Sequence, residues 1–427
     1  MTAAIVSRSR SSFTLQIEIP YSSSMLEFEE SVQRSLNEGG VLATQEALQT
    51  FDADGSPVVV GETRLTSKGK VAKEYQTPYG VAVVERHVYQ SPEGGKTFCP
   101  LDQKARIIVS STPKFAKMIS HKYAEFGSSR VIRDLEANHS RSVARSFVQN
   151  VADSVAAVAL AKEETWNYEM PTLEEPVATI TIGLDGACIL MSNDGWREAM
   201  VGTVGFYDKE GERLHTTYLA ASPEYGKETF LKRLEDEIAR TKRAYPEAQY
   251  LGLADGAKGN WELLERHTEF QLVDFWHASE YLGKAAAVLF RGQTRTQEAW
   301  MEERCHRLKH ESGAAGAVIK ELKRLARERP WATKAEEVTR AITYFQNQNQ
   351  KGRMNYSDYV NASMPIGSGV TEAACKLIIK QRLCGSGMKW KDEGAAAVLS
   401  LRSLSYTPNR WEQFWKKIDR YGFVLWG

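Results

Sequence analysis

Val177-Ala-Thr-Ile-Thr-Ile-Gly-Leu-Asp-Gly-Ala-Cys-Ile-Leu-Met191 is an apolar, β-branched run whose one break is Asp185-Gly186. Its composition reads as a strand rather than a helix, and an aspartate that meets a glycine there is either a turn residue or a functional carboxylate at a sheet edge. Outward from it, residues 196–207 and Arg213–Ala221 read as two more strands, joined through Asn193-Asp-Gly195 and Lys209-Glu-Gly211. Residues 225–245 have clear helical period, Gln249–Ala254 is a fourth strand, residues 260–267 a short helix and residues 270–275 a fifth strand. The fourth strand also ends on an acid and a glycine, Ala254-Asp255-Gly256.

Three strands in a meander, then strands alternating with helices, predict an α/β fold, α+β over the whole chain, with ribonuclease-H-like topology. In that topology the first and fourth strands are neighbours, so Asp185 and Asp255 meet at one end of the sheet. A third acid arrives with residues 364–390, MPIGSGVTEAACKLIIKQRLCGSGMKW. Ser368 is a plausible N-cap and Gly385 a stop. On a helical wheel Val370, Ala373, Ala374, Leu377 and Ile378 share one face, opposite Glu372, Lys376 and Lys380. As a plain surface helix this stretch would gain only about 0.2–0.5 kcal/mol from its Glu-Lys pair. Across the end of the sheet, Glu372 would instead join Asp185 and Asp255. Converging carboxylates repel one another unless hard cations neutralise them, which calls for Mg²⁺ or Mn²⁺. Two such ions serve phosphodiester displacement.

A chain of 427 residues that is 42% hydrophobic is long enough for two or three domains. Lys and Arg total 55 against 54 Asp and Glu, so the net charge is silent about partners and only its distribution speaks. Residues 17–60 carry Glu18, Glu27, Glu29, Glu30, Glu38, Glu46, Asp52 and Asp54 against Arg34, whereas residues 291–353 and 372–420 are basic and suit a polyanion. Five scattered cysteines, without a CxxC pair, point to reduced thiols and to no zinc. No leader pattern and no membrane-length apolar run is visible, so a cytoplasmic protein without membrane attachment is expected.

Residues 1–108 read as a small α+β module: one or two helices over residues 25–51, interrupted at Gly39-Gly40, then β-type runs Val58–Val60 and 81–84 around Gly- and Lys-rich turns. Residues 109–170 read as three short-linked helices, 114–126, 128–137 and 140–161. These fit either a plain bundle or a helix-turn-helix with Arg141 and Arg145 opening the recognition helix. After a linker at 167–176, residues 171–277 form the first part of the catalytic core, 278–362 an all-α insertion and 363–427 the second part with the C-terminal helices. The stretch between Asp255 and Glu372 exceeds what the fold needs as a connection. Its helices, expected at 279–291, 297–310, 315–329 and 335–346, carry Arg304, Arg307, Lys309, Lys320, Lys323, Arg324, Arg327 and Arg329. Of these, Lys320, Lys323, Arg324 and Arg327 are taken as phosphate contacts, together with Arg197, Lys258, Lys380, Arg382 and Lys389 near the acids. Trp300, Trp331 and Tyr344 are core residues or base-stacking ones. His306 and His310 have metal-compatible spacing but lack further ligands, so a solvated or DNA-facing pair is expected. His277, Asp274 and Lys376 are assigned supporting roles at the acidic site.

Leu184-Asp-Gly186, Asp194-Gly-Trp-Arg-Glu198, Ala254-Asp-Gly-Ala-Lys-Gly-Asn-Trp261, Asp274-Phe-Trp-His-Ala278 and Ile366-Gly-Ser-Gly-Val-Thr-Glu-Ala-Ala-Cys-Lys376 occur in this order, followed by Ser386-Gly-Met-Lys-Trp390, residues 393–399 and residues 411–415. Together they resemble the DDE transposases of the bacterial insertion-sequence family typified by the Kra element, distant relatives of Mutator-like transposases. The resemblance implies that Asp185, Asp255 and Glu372 are the catalytic, metal-binding acids. It also implies cleavage at terminal inverted repeats, joining of 3′-OH ends to target DNA, and a homodimer or higher oligomer in a synaptic complex. Relatives often carry zinc-type cysteine pairs in the N-terminal module, whereas residues 76–101 here hold only Cys99. A ribonuclease-H-like nuclease without strand transfer and a domesticated DNA-binding derivative are the alternative functions.

Overall fold

A computed structural model describes residues 3–162, 165–255 and 258–422, and the chain is a mixed α/β protein. It divides into two compact units, Met1–Trp166 with Glu412–Gly427, and Asn167–Trp411. The expected N-terminal module and three-helix segment therefore lie in one unit, and the last residues of the chain join them.

The first unit begins with a hairpin, β1 (Ala3–Arg8) and β2 (Phe13–Ile17), against which α1 (Met25–Gln49) packs. α1 is a single helix, N-capped by Ser24, and Gly39-Gly40 does not interrupt it. A Cβ on Gly39 would come within 2.7 Å of Ile17, and one on Gly40 would overlap the Tyr79 ring. Both glycines thus permit close packing, which offsets the ~1 kcal/mol each costs within a helix. An antiparallel sheet follows in the order β3 (Val58–Val60), β4 (Thr63–Gln76), β5 (Val81–Ser91), β6 (Gly94–Phe98). β4 covers residues expected as a Lys-rich turn, because pairing with β5 stabilises a sequence of weak strand propensity. After α2 (Pro100–Lys104) come α3 (Pro113–Glu125), α4 (Ser128–His139) and α5 (Arg145–Lys162).

The third of these helices starts at Arg145, not at residue 140, since Ser140 takes a left-handed conformation that ends α4. Arg141 consequently lies in a loop. It is only 6% exposed and donates to the Thr77 carbonyl at 3.0 Å and to Gln76 Oε1 at 2.6 Å. Its guanidinium also sits 5.3 Å from the Phe115 ring centroid. The expected DNA contact through Arg141 is corrected: this cation ties the helices to the β-sheet. Arg145 is exposed at the first position of α5.

The second unit is built on β7 (Thr179–Met191), β8 (Gly195–Tyr207), β9 (Arg213–Ala221), α6 (Glu228–Ala244), β10 (Gln249–Ala254), α7 (Lys258–His267) and β11 (Phe270–Val273). The sheet order is β11-β10-β7-β8-β9, with β8 and β9 antiparallel to their neighbours and β10 and β11 running parallel to β7. The first and fourth strands of this unit are thus adjacent, as expected from their order. Phe230, Leu234 and Ile238 recur every fourth residue on α6 and bury one stripe of it. The fifth strand ends at Val273 rather than residue 275, because Asp274 caps the helix that follows.

That helix, α8 (Phe275–Leu289), opens a run with α9 (Thr294–His310), α10 (Ala314–Glu328), α11 (Glu336–Gln350) and α12 (Tyr356–Asn361). Their apolar residues, among them Leu282, Leu322, Ala341 and Phe345, join one continuous core with Ile180, Leu251 and Leu272 of the sheet. These helices lie between β11 and the Glu372 segment in sequence, and they share the core of the sheet. The chain then enters α13 (Gly369–Ala374), a π-helical stretch Cys375–Lys380, α14 (Gln381–Leu383), α15 (Asp392–Tyr406) and α16 (Arg410–Tyr421). Among the described residues no helix is long and apolar enough to cross a membrane.

Candidate active site

In the parallel pair β7 and β10, Leu253 lies opposite Gly183. Asp185 lies two residues further along β7 and Asp255 directly follows β10, so the parallel register leads both acids to the same end of the two strands. Asp185 accepts from its neighbour Gly186 N through Oδ1 at 2.7 Å and meets the Cys375 thiol through Oδ2 at 3.3 Å. Burial, and then the Asp185 charge, push the Cys375 thiol up, so it remains the donor in that hydrogen bond. The Asp255 carbonyl accepts from the Tyr344 hydroxyl at 2.9 Å. Burial raises the Tyr344 phenol as well and preserves it as a donor.

Glu372 is brought to this edge by close packing of α13 on β7 and β8. Thr371 Oγ1 lies 2.7 Å from Thr203 Oγ1, and a Cβ on Gly183 would collide with Thr371 Oγ1. Gly183 is therefore the residue that lets the third acid come close. Asp274, fully buried, fixes the approach from the other side. Its Oδ1 accepts from His277 N at 2.6 Å, and its Oδ2 accepts from Ser368 N at 2.5 Å and Ser368 Oγ at 3.0 Å. One carboxylate thus caps α8 and holds the start of the Glu372 helix.

The burial pattern corrects the helical wheel drawn from sequence. Thr371, Ala374, Cys375, Ile378, Ile379 and Arg382 are buried, while Ala373 is exposed and Val370 half-exposed. Cys375, on this buried stripe and at the start of the π-helical stretch, is the residue that meets Asp185. Glu372, Lys376 and Lys380 remain on the open side, as expected.

Asp185, Asp255, Glu372, His277, Lys376 and Lys380 line one cleft of about 940 Å³. Partial burial against its wall raises the Glu372 carboxyl above the usual glutamate range, and the negative charges of Asp274, Asp185 and Glu280 raise it further, with His277 opposing. Asp185 and Glu372 therefore repel one another at this edge, and carboxylate oxygens are the donor class that hard divalent cations take. Among the described residues no three His, Cys, Asp or Glu side chains form a ready-made ligand set. His277 packs edge-on against Tyr281 and Tyr344, whose rings stack in parallel 4.0 Å apart.

The expected phosphate contacts are unequal. Arg382 is buried, with its guanidinium 5.2 Å from the Trp390 ring centroid, and is corrected to a structural role. Arg197 lies over the Tyr225 ring at 4.1 Å and donates to its hydroxyl at 2.8 Å. Lys320 and Arg327 are exposed on α10 and Lys323 half-buried, while Arg324 makes a forked pair with Glu328. Arg304 is held by Glu321 and Glu303, Arg307 by Glu311, and Lys309 lies over the Phe275 and Trp276 rings. Lys389 is exposed; Lys258 opens α7, and its side chain lies outside the described ones. Trp300 is core, Trp331 exposed, and the His306 and His310 rings lie 4.6 Å apart.

Sequence reasoning missed Cys375, Thr371, Tyr344 as a partner of Asp255, and the exposed Trp276. An available signal was Asp274, an N-cap residue type directly before the apolar period of α8. No protein-family model matches the chain, and no curated protein matches it.

Proposed function

We propose that the second unit is the ribonuclease-H-like catalytic core of a DDE transposase. The observation that carries this reading is the meeting of Asp185, Asp255 and Glu372 on one open cleft, from two adjacent parallel strands and a helix far along the chain. The strand order and directions around β7 support it, as does the ordered set of motifs that resembles the Kra-type insertion-sequence transposases.

Asp185, Asp255 and Glu372 would hold two Mg²⁺ or Mn²⁺ ions, which when bound polarise the scissile phosphodiester and activate the attacking oxygen. The remaining residues serve position and charge. Asp274 and Gly183 set where Glu372 stands, Tyr344 holds the main chain at Asp255, and Lys376 and Lys380 draw the phosphate backbone into the cleft. His277, on the cleft wall and facing Glu372, is placed to steady that carboxylate or the phosphate beside it. Exposed cations on α10 and Arg145 on α5 would bind duplex DNA outside the cleft, the terminal repeats and the target being the two DNA partners of an oligomeric complex.

The test is an end-cleavage and strand-transfer assay with the element's terminal repeats, a second duplex and Mg²⁺. Nicks at the repeat ends and joined 3′-OH products, both abolished in Glu372→Gln, are expected. Cleavage without joining would leave a nuclease, and no metal-dependent action on DNA would remove the reading.

A further inference from the structure

Trp276 is 63% exposed although it sits between the buried Phe275 and the cleft-lining His277. A tryptophan in the first turn of a core helix ordinarily gains by burial, so an exposed one next to a cleft-lining residue is a candidate contact surface. Its indole is held in place. Phe275 meets it edge-on at 5.8 Å, the Lys309 ammonium lies 5.3 Å from its ring, and a Cβ on Gly367 would stand 3.3 Å from its Cδ1. Gly367 directly precedes Ser368, which Asp274 anchors and which lines the same cleft. A fixed flat ring, a cation beside it and a neighbouring cleft lined by both carboxylates and lysines form a set that fits a nucleotide with its base out of the helix.

From this we infer that Trp276 is a stacking platform for an unpaired nucleobase, with Lys309 meeting the attached phosphate. The site rests on the proposed DNA function and adds to it a preference: the chain favours DNA whose bases next to the reacting phosphate are unpaired. Base–aromatic stacking is sequence-tolerant, so the platform recognises unpairing and not a particular base. The amphipathic partners Trp300 and Tyr344 are used otherwise, the first in the core and the second against Tyr281.

The experiment measures affinity, by fluorescence anisotropy in Ca²⁺ to prevent cleavage, for a flush duplex and for the same duplex with a short unpaired end carrying 2-aminopurine. The wild-type protein is expected to favour the unpaired end and to quench its fluorescence. Trp276→Ala loses that preference, by roughly 5- to 150-fold in affinity, with flush-duplex binding unchanged. Trp276→Phe keeps most of it, and Trp331→Ala, which removes another exposed tryptophan, keeps all of it. Equal affinity of the wild type for both DNAs, or a preference that survives Trp276→Ala, overturns the platform while leaving the transposase reading standing. Failure of the wild type to bind either DNA overturns both.

Discussion

Arg141 and Glu372 show how differently two charged side chains can be used in one chain. Arg141 is buried and directs its donors to Thr77 and Gln76, so Arg141→Ala should destabilise the first unit by about 1.5–3 kcal/mol. Thermal unfolding checks this, and DNA affinity per folded molecule should be unchanged; a selective loss of end recognition with normal stability would restore Arg141 to a DNA-facing role. Glu372 is raised by partial burial and by neighbouring carboxylates, which penalise its ionised form in the folded state. Its contribution to the metal-free protein is therefore most favourable where it is protonated, and is lost as pH rises through its elevated pKa. Glu372→Gln should raise the melting temperature of the metal-free protein above that range and change it little at lower pH. The same elevation means that metal affinity should begin to fail, as pH drops, at a pH above that of an ordinary glutamate. Melting curves that move in parallel at all pH values would show that Glu372 is not under this repulsion.

At the scale of elements, the seating of α13 on the sheet depends on a missing side chain. Gly183→Ala places a Cβ against Thr371 and should displace the Glu372 helix, lowering metal affinity at least tenfold, and Thr371→Ala in the same protein should restore part of it. A double mutant no better than Gly183→Ala in a metal titration would show that the two residues do not set this approach. α10 presents a second element-scale expectation. Neutralising Lys320, Lys323 and Arg327 together should weaken binding of any duplex and flatten the salt dependence by up to about one unit for each phosphate no longer neutralised, with Arg324 mattering less because Glu328 already holds it. Salt-dependent binding curves of unchanged slope would mean that this face does not meet phosphate. Most of these elements were legible in sequence because their signal is local: β7 is an apolar, β-branched run, β10 a short apolar run that meets an acid and a glycine, and α6 and α10 keep strict helical period. The uninterrupted α1 and the Lys-rich β4 were not, since packing and pairing decide them: Ile17 and Tyr79 against Gly39-Gly40, and β5 against β4; nor was the meeting of Cys375 with Asp185, 190 residues away.

Across the whole molecule, the acids could be found because each sits on or directly after a recognisable element, Asp185 within β7, Asp255 after β10 and Glu372 in the first turn of α13, while the contacts that position them could not. Asp274 reaches Ser368 and Tyr344 reaches Asp255 only through tertiary structure, and no spacing in the sequence announces either hydrogen bond. The division into units was also only partly visible. A linker near residue 167 marks one boundary, but the return of the residues from Glu412 onward to the first unit has no compositional sign. Nor does the sharing of one core between the sheet and the helices α8 to α12, whose apolar stripes read the same whether they face one another or the strands. The transposase chemistry proposed for this cleft requires Asp185, Asp255 and Glu372 to act as one ligand set. The direct measurement is Mn²⁺ binding, followed by calorimetry and electron paramagnetic resonance, to the wild type and to Asp185→Asn, Asp255→Asn, Glu372→Gln, Glu280→Gln and Glu393→Gln. The wild type, Glu280→Gln and Glu393→Gln should bind Mn²⁺ alike, and each of the other three should lose at least tenfold in affinity while remaining folded. Unaltered binding in Asp185→Asn, Asp255→Asn and Glu372→Gln, or a loss confined to Glu280→Gln or Glu393→Gln, would contradict it.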